Sequence, residues 1–171
     1  MENQRKRIAV LGSTGSIGRQ TLDVIAEYPD RFEAAVLIAG SRVDQLAEQA
    51  IRFRPRMAII ADETKYQALK NALAPHGIDV AAGREAVIAS MTDIDFDTVV
   101  TATVGYSGLE PTLAAISAGR DIALANKETL VVAGDLVNRR LAASRSRVIP
   151  VDSEHSAIYQ CLMGEDRKSV R

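Results

Sequence analysis

The 171-residue sequence has one cysteine, almost no net charge and no long apolar run. A lone Cys161 excludes an intramolecular disulfide and suits a reducing cytosol. Cys161 lies between Tyr159 and Leu162 in a stretch with helical apolar spacing, which predicts a small buried core residue rather than a nucleophile. The formal net charge of −1 gives no support for a nucleic-acid surface. Arg5, Lys6 and Arg7 form a basic cluster, but it stops where the first apolar run begins and reads as a solvated flank. No segment approaches the length of a membrane span, and the amino terminus has neither a signal-peptide core nor an acid-free, Ser/Arg-rich leader. Internal repeats and low-complexity linkers are also missing. What remains is an ordinary soluble composition, 47% hydrophobic and 25% charged, sized for one α/β domain and the beginning of a second. A cytoplasmic location is expected.

The stretch from Ile8 to Gly18 organises the chain. A β-branched run leads into glycines spaced Gly12-x-x-Gly15-x-x-Gly18, and Ile17, Leu22, Ile25 and Ala26 follow with helical spacing. Strand, tight turn and helix in that order set backbone N–H groups at a helix N-terminus, where a pyrophosphate binds. A plain strand-to-helix turn has the same glycines, so the motif alone leaves both readings open. Downstream, nearly continuous apolar runs at 33–40, 57–61, 97–104, 121–125 and 147–151 suit strands buried on both faces, with a shorter strand at 78–82. Between them lie helical patterns near 41–54, 63–74, 85–90, 109–119, 127–143 and 152–163. Ser41-Arg-Val-Asp44 reads as a capping box, and Gly134 is a weak spot in its helix. Strands alternating with helices predict an α/β fold: a Rossmann-like, doubly wound, mainly parallel sheet.

Ligands of open α/β sheets bind at the carboxyl ends of the strands, and four such positions stand out. Thr14, Gly15, Ser16 and Ile17 line the first turn. Gly40, Ser41 and Arg42 follow the second strand, where an NAD enzyme commonly carries an acid. Small residues and an arginine favour the 2′-phosphate of NADP, unless Arg42 is only a solvated first-turn residue. Lys127 falls at a helix N-terminus, where the macrodipole disfavours a cation, so an anionic ligand would account for it. Its neighbours Asn126 and Glu128 also fit local roles, as a cap and a dipole partner. Finally, Asp152 and Glu154 stand two apart after the last strand. On extended backbone both carboxylates face one way and could hold Mg²⁺ or Mn²⁺; acids at a helix start are equally common as caps. His155 reads as structural or surface-exposed rather than as a ligand.

Three segments, Gly12-Ser-Thr-Gly-Ser-Ile-Gly18, Ala125-Asn-Lys-Glu-Thr-Leu-Val131 and Pro150-Val-Asp-Ser-Glu-His-Ser-Ala-Ile-Tyr-Gln160, together resemble the 1-deoxy-D-xylulose 5-phosphate reductoisomerase family. The resemblance implies an NADPH- and divalent-metal-dependent enzyme of non-mevalonate isoprenoid biosynthesis. Its reaction converts 1-deoxy-D-xylulose 5-phosphate to 2-C-methyl-D-erythritol 4-phosphate by rearrangement and hydride reduction. Carried over, Thr14, Gly15, Ser16, Ile17, Gly40, Ser41, Arg42, Asn126 and Glu128 would bind NADPH. Lys127, Ser153 and Glu154 would meet the phosphosugar substrate, with Lys127 and Glu154 catalytic, and Asp152 and Glu154 would hold Mg²⁺ or Mn²⁺. This family often has Lys-Asn where Ser41-Arg42 stands. The resemblance further implies an NADPH-binding domain over 1–150 and the start of a catalytic domain over 151–171. Such a piece would bind NADPH without turning over, and the full-length enzyme would be a homodimer. Two rivals are an aspartate-semialdehyde type of NADP-dependent dehydrogenase, which needs a catalytic cysteine, and a non-catalytic NADP-sensing domain, which needs only the first two positions.

Overall fold

A computed structural model describes residues 5–103, 105–125 and 128–163. Among the described residues seven strands alternate with seven α-helices: β1 (Lys6–Leu11), α1 (Ser16–Glu27), β2 (Phe32–Ala39), α2 (Val43–Phe53), β3 (Met57–Ile60), α3 (Tyr66–Leu73), β4 (Asp79–Ala82), α4 (Arg84–Asp93), β5 (Thr98–Thr101), α5 (Leu109–Ser117), β6 (Asp121–Leu124), α6 (Glu128–Ala142), β7 (Val148–Pro150) and α7 (Ser153–Cys161). Every strand pair is parallel, in the order β4-β3-β2-β1-β5-β6-β7. The chain winds outward one way from β1 to β4 and the other way from β5 to β7, which opens a crevice at the carboxyl ends of β1 and β5.

The apolar strand runs are unbroken because both faces are covered. Ile8 and Val10 of β1 join a core with Leu22 and Ile25 of α1, Leu46 of α2 and Leu69 of α3. Ala9 and Leu11 point the other way, into a core with Val87 and Met91 of α4, Ile116 of α5 and Val137 of α6. In β2 the alternation slips once: Ile8 pairs with Ala34 but Ala9 pairs with Val36, so Ala35 is an extra residue. Ala35 and Val36 consequently lie in the same core.

At the amino ends of the strands, away from the crevice, the Arg7 guanidinium donates to Asp97 at 3.2 and 2.9 Å and also pairs with Asp95. Arg120 donates to Asp95 at 3.1 Å and to the Phe96 carbonyl at 2.7 Å. The Arg7 bond holds the Asp97 carboxyl below the usual carboxylate range, and Arg7 and then Arg120 do the same for Asp95.

Three local expectations change. Helix α2 starts at Val43 after Arg42, with no side-chain cap bond, so Ser41 is not the cap. Helix α6 is kinked at Ala133 (φ −130°, ψ 23°), directly before Gly134, which localises the expected weakness. Cys161 is exposed rather than buried. Its spacing marks an apolar face of α7, but no residue of that helix is buried, and Ile158 and Met163 are exposed as well. No helix among the described residues is long and apolar enough to cross a membrane.

Candidate dinucleotide and metal site

The turn after β1 is built from backbone contacts too close for side chains. Gly12 has φ +90°, and a Cβ there would stand 2.7 Å from the Ala102 carbonyl oxygen of the β5 exit. A Cβ on Gly18 would strike the Gly12 carbonyl oxygen and lie 2.6 Å from Ser13 Cα, so α1 packs directly on the turn. The amides of Gly12 and Ser13 both donate to the Ile38 carbonyl of β2, at 2.9 and 2.8 Å. Gly15 N–H donates to Gly12 O at 3.0 Å, and Arg19 N–H to Gly15 O at 3.0 Å begins the helical ladder. The first helical amides, Ser16 and Ile17, precede any intrahelical partner. Thr14 is buried, Ile17 half-buried and Ser16 exposed.

The second position converges on this turn. Gly40, Ser41 and Arg42 are exposed after β2. Arg42 Nη1 reaches back to the Thr14 carbonyl at 3.4 Å and to Gln45 Oε1 at 3.3 Å. One turn further along α2, Gln49 Nε2 donates to the Ser13 carbonyl at 3.0 Å. Between the turn and the end of β3 lies a mostly apolar cleft of about 440 Å³, lined by Leu11, Gly12, Ile38, Gly40, Ala61 and Thr103 among others. Arg84 and Glu110 form a two-pronged ion pair on its rim. The hydroxyls of Thr101 and Thr103 at the β5 end are buried with no partner among the described residues. A cradle closed to side chains beside orphaned hydroxyls fits a polar ligand passing over β1 and β5. Gln49, Arg84 and Glu110 gave no signal in the sequence because their partners are remote in the chain; for Thr103 the one signal was its placement at a strand's carboxyl end.

The remaining positions lie on the β6–β7 side. Glu128 opens α6 with its carboxylate in the first turn, exposed. Asn126 and Lys127 lie outside the described residues. Asp152 caps α7 on extended backbone (φ −63°, ψ 153°), and Glu154 stands in the first turn. Asp152 Oδ1 accepts from the His155 backbone N–H at 3.0 Å and lies 2.7 Å from its Nδ1. The backbone bond, aided by the imidazole, holds this carboxyl below the usual range, so Asp152 is ionised at neutral pH. Ser153 Oγ donates to Glu154 Oε2 at 3.1 Å. The cap reading holds, since one Asp152 oxygen caps the helix; Glu154 lies inside α7 rather than before it, and Asp152 Oδ2 and the Glu154 carboxylate are hard oxygen donors of the kind Mg²⁺ or Mn²⁺ takes. No group of three or more His, Cys, Asp or Glu side chains able to hold a metal occurs among the described residues. Strand β7 stands three strand spacings from β1, roughly 14 Å, a span that an extended dinucleotide can bridge.

Residues 8–134 match the profile of 1-deoxy-D-xylulose 5-phosphate reductoisomerase. The protein of that name from Bacteroides thetaiotaomicron is 53% identical over 164 residues, 96% of this chain and 42% of the relative. The chain thus spans about two fifths of the length of such curated relatives. A solved reductoisomerase from Zymomonas mobilis in complex with NADPH superposes with a TM-score of 0.89 at 43% identity, covering 92% of this chain and 42% of that one. A solved DOX-P reductoisomerase in complex with NADPH, fosmidomycin and magnesium gives 0.87 at 42% identity, covering 91% and 38%.

Proposed function

Since this chain belongs to the 1-deoxy-D-xylulose 5-phosphate reductoisomerase family, we propose that it is the NADPH-binding part of an enzyme that rearranges and reduces 1-deoxy-D-xylulose 5-phosphate to 2-C-methyl-D-erythritol 4-phosphate. On this reading residues 1–150 form the dinucleotide domain and 151–171 begin the catalytic one. The first amides of α1, with Thr14, Gly15, Ser16 and Ile17 around them, receive the pyrophosphate. Arg42 exchanges its long bonds to Thr14 O and Gln45 for the 2′-phosphate, beside Gly40 and Ser41. The apolar cleft next to Gly40 receives the adenine, which directs the nicotinamide half across β5 toward α6 and α7.

At that far end Asn126 and Glu128 contact the cofactor, while Lys127 and Ser153 hold the phosphosugar, roles carried from the family motif. Asp152 and Glu154 would supply two carboxylates to a divalent ion. Bound there, Mg²⁺ or Mn²⁺ supplies Lewis acidity at the substrate's oxygens, and NADPH supplies the hydride. Lys127 and Glu154 act on the substrate as catalytic groups. The assembled enzyme is cytoplasmic and homodimeric; the 171-residue chain binds NADPH without turnover.

The observation that carries this reading is Arg42, held against the turn that precedes α1. A titration with NADPH and NADH tests it. NADPH binds more tightly, and Arg42→Leu loses about 10- to 100-fold toward NADPH alone, the weight of a charge-assisted hydrogen bond. Equal affinity for the two cofactors overturns the assignment.

A further inference from the structure

We propose that Gln49 is a positioning residue for the dinucleotide, acting through the Ser13–Thr14 peptide and not by touching the ligand; this rests on the NADPH reading above. Gln49 sits on the inner side of α2, beside the fully buried Leu46 and Ala50. Its Oε1 is shielded from solvent and has no partner among the described residues, while Nε2 donates to Ser13 O at 3.0 Å. An amide that leaves its own oxygen buried and unpaired is a costly filling for a gap that an aliphatic chain would fill. What the amide adds is the one bond to the turn.

That bond falls where the turn has least other support. Gly12 and Ser13 N–H are held by Ile38 O, and Gly12 O is held by Gly15 N–H. Among the described residues, only side chains hold the next two carbonyls: Gln49 of α2 holds Ser13 O at 3.0 Å, and Arg42, just before α2, holds Thr14 O at 3.4 Å. A trans peptide sets its C=O and N–H on opposite sides, so fixing Ser13 O toward α2 aims Thr14 N–H away from α2. When Arg42 turns to a 2′-phosphate, Thr14 O is released and Gln49 becomes the side-chain tether of the turn. Gln49 is not among the residues lining the cleft.

The test compares the wild-type chain with Gln49→Met and Gln49→Glu, titrated with NADP⁺ and with adenosine 2′-monophosphate, which has the 2′-phosphate but no 5′-phosphates. Gln49→Met weakens NADP⁺ by about five- to tenfold and leaves adenosine 2′-monophosphate within twofold. Gln49→Glu loses more near neutrality, because a carboxylate faces a carbonyl. Relative to wild type, it recovers as the pH is lowered from about 8 to about 5, where the protonated acid donates again. NADP⁺ affinity of Gln49→Met within twofold of wild type overturns the proposal alone. Equal losses for both ligands together with a lowered melting temperature also overturn it, since the residue is then merely structural. A wild-type chain that binds neither ligand overturns the dinucleotide reading and this proposal with it.

Discussion

Replacing Gly18 with alanine sets two effects of opposite sign against each other. Gly18 is a helical residue of α1, and in a free helix alanine is favoured over glycine by about 1 kcal/mol. In this fold the new methyl would meet the Gly12 carbonyl oxygen and would lie 2.6 Å from Ser13 Cα, against a lower edge of 3.4 Å for ordinary contact. Both obstacles are backbone, so no rotamer change relieves them. The helix has to lift off the turn by about 0.8 Å or more, the difference between those two distances. Overpacking on this scale costs roughly 1–3 kcal/mol, and a rigid backbone obstacle belongs at or above the upper end. After subtracting the helix gain, a net loss of about 2 kcal/mol or more remains, or a melting temperature lower by at least roughly 4–8 °C for a chain of this size. Lifting α1 also moves the Ser16 and Ile17 amides, so NADP⁺ binding weakens by about tenfold. Thermal unfolding followed by circular dichroism, with a cofactor titration, reads both quantities. Gly134→Ala is the control: nothing stands within 4 Å of its Cβ position, and the change stabilises by up to about 1 kcal/mol. A melting temperature for Gly18→Ala at or above that of wild type refutes the close-packing argument.

The carboxylates of Asp95 and Asp97 have folded pKa values below their unfolded ones, so they add stability above the unfolded carboxylate pKa of about 4 and lose it as the pH falls through the lower folded values. Urea midpoints measured from about pH 6 down to about pH 3 will fall steeply for wild type and less for Asp97→Asn; parallel curves contradict the assignment. The Arg84–Glu110 pair, with side chains 72% and 50% exposed, contributes under about 1 kcal/mol to folding. A double-mutant cycle giving a larger coupling would show that solvent screens the cleft rim less than its exposure implies. Mn²⁺ binding followed by water-proton relaxation will weaken in Glu154→Gln; an unchanged titration places the metal elsewhere.

The sequence made those parts of the molecule legible that depend on near neighbours. Runs such as Ala34–Ala39 read as doubly buried strands because both sheet faces are in fact covered, and Gly12 and Gly18 marked a turn that tolerates no Cβ. Ser41 misled because helix-start chemistry is scored locally, whereas Arg42 is directed by the Thr14 carbonyl 28 residues away. Cys161 misled because periodicity identifies the apolar face of a helix and says nothing of what covers it. Gln49 and the Arg84–Glu110 pair were silent for the first of these reasons, with partners 36 and 26 residues distant. Asp152 offered two readings, cap and ligand, and spacing alone could not separate them; the structure shows the cap.

The extra residue in β2 is a reserve of chain length. Ala35 bulges out of register, and beyond it the ladder resumes with Ala9 opposite Val36 and Leu11 opposite Ile38. Deleting one residue from 35–37 can be absorbed by flattening the bulge: each remaining side chain finds a face, and the carbonyl opposite Leu11 stays beneath the glycine turn. Inserting one residue has no such outlet. It either inverts the strand beyond that point or pushes Gly40 and Arg42 past the turn they border. Length variation in this strand is therefore one-sided, tolerant of loss and intolerant of gain.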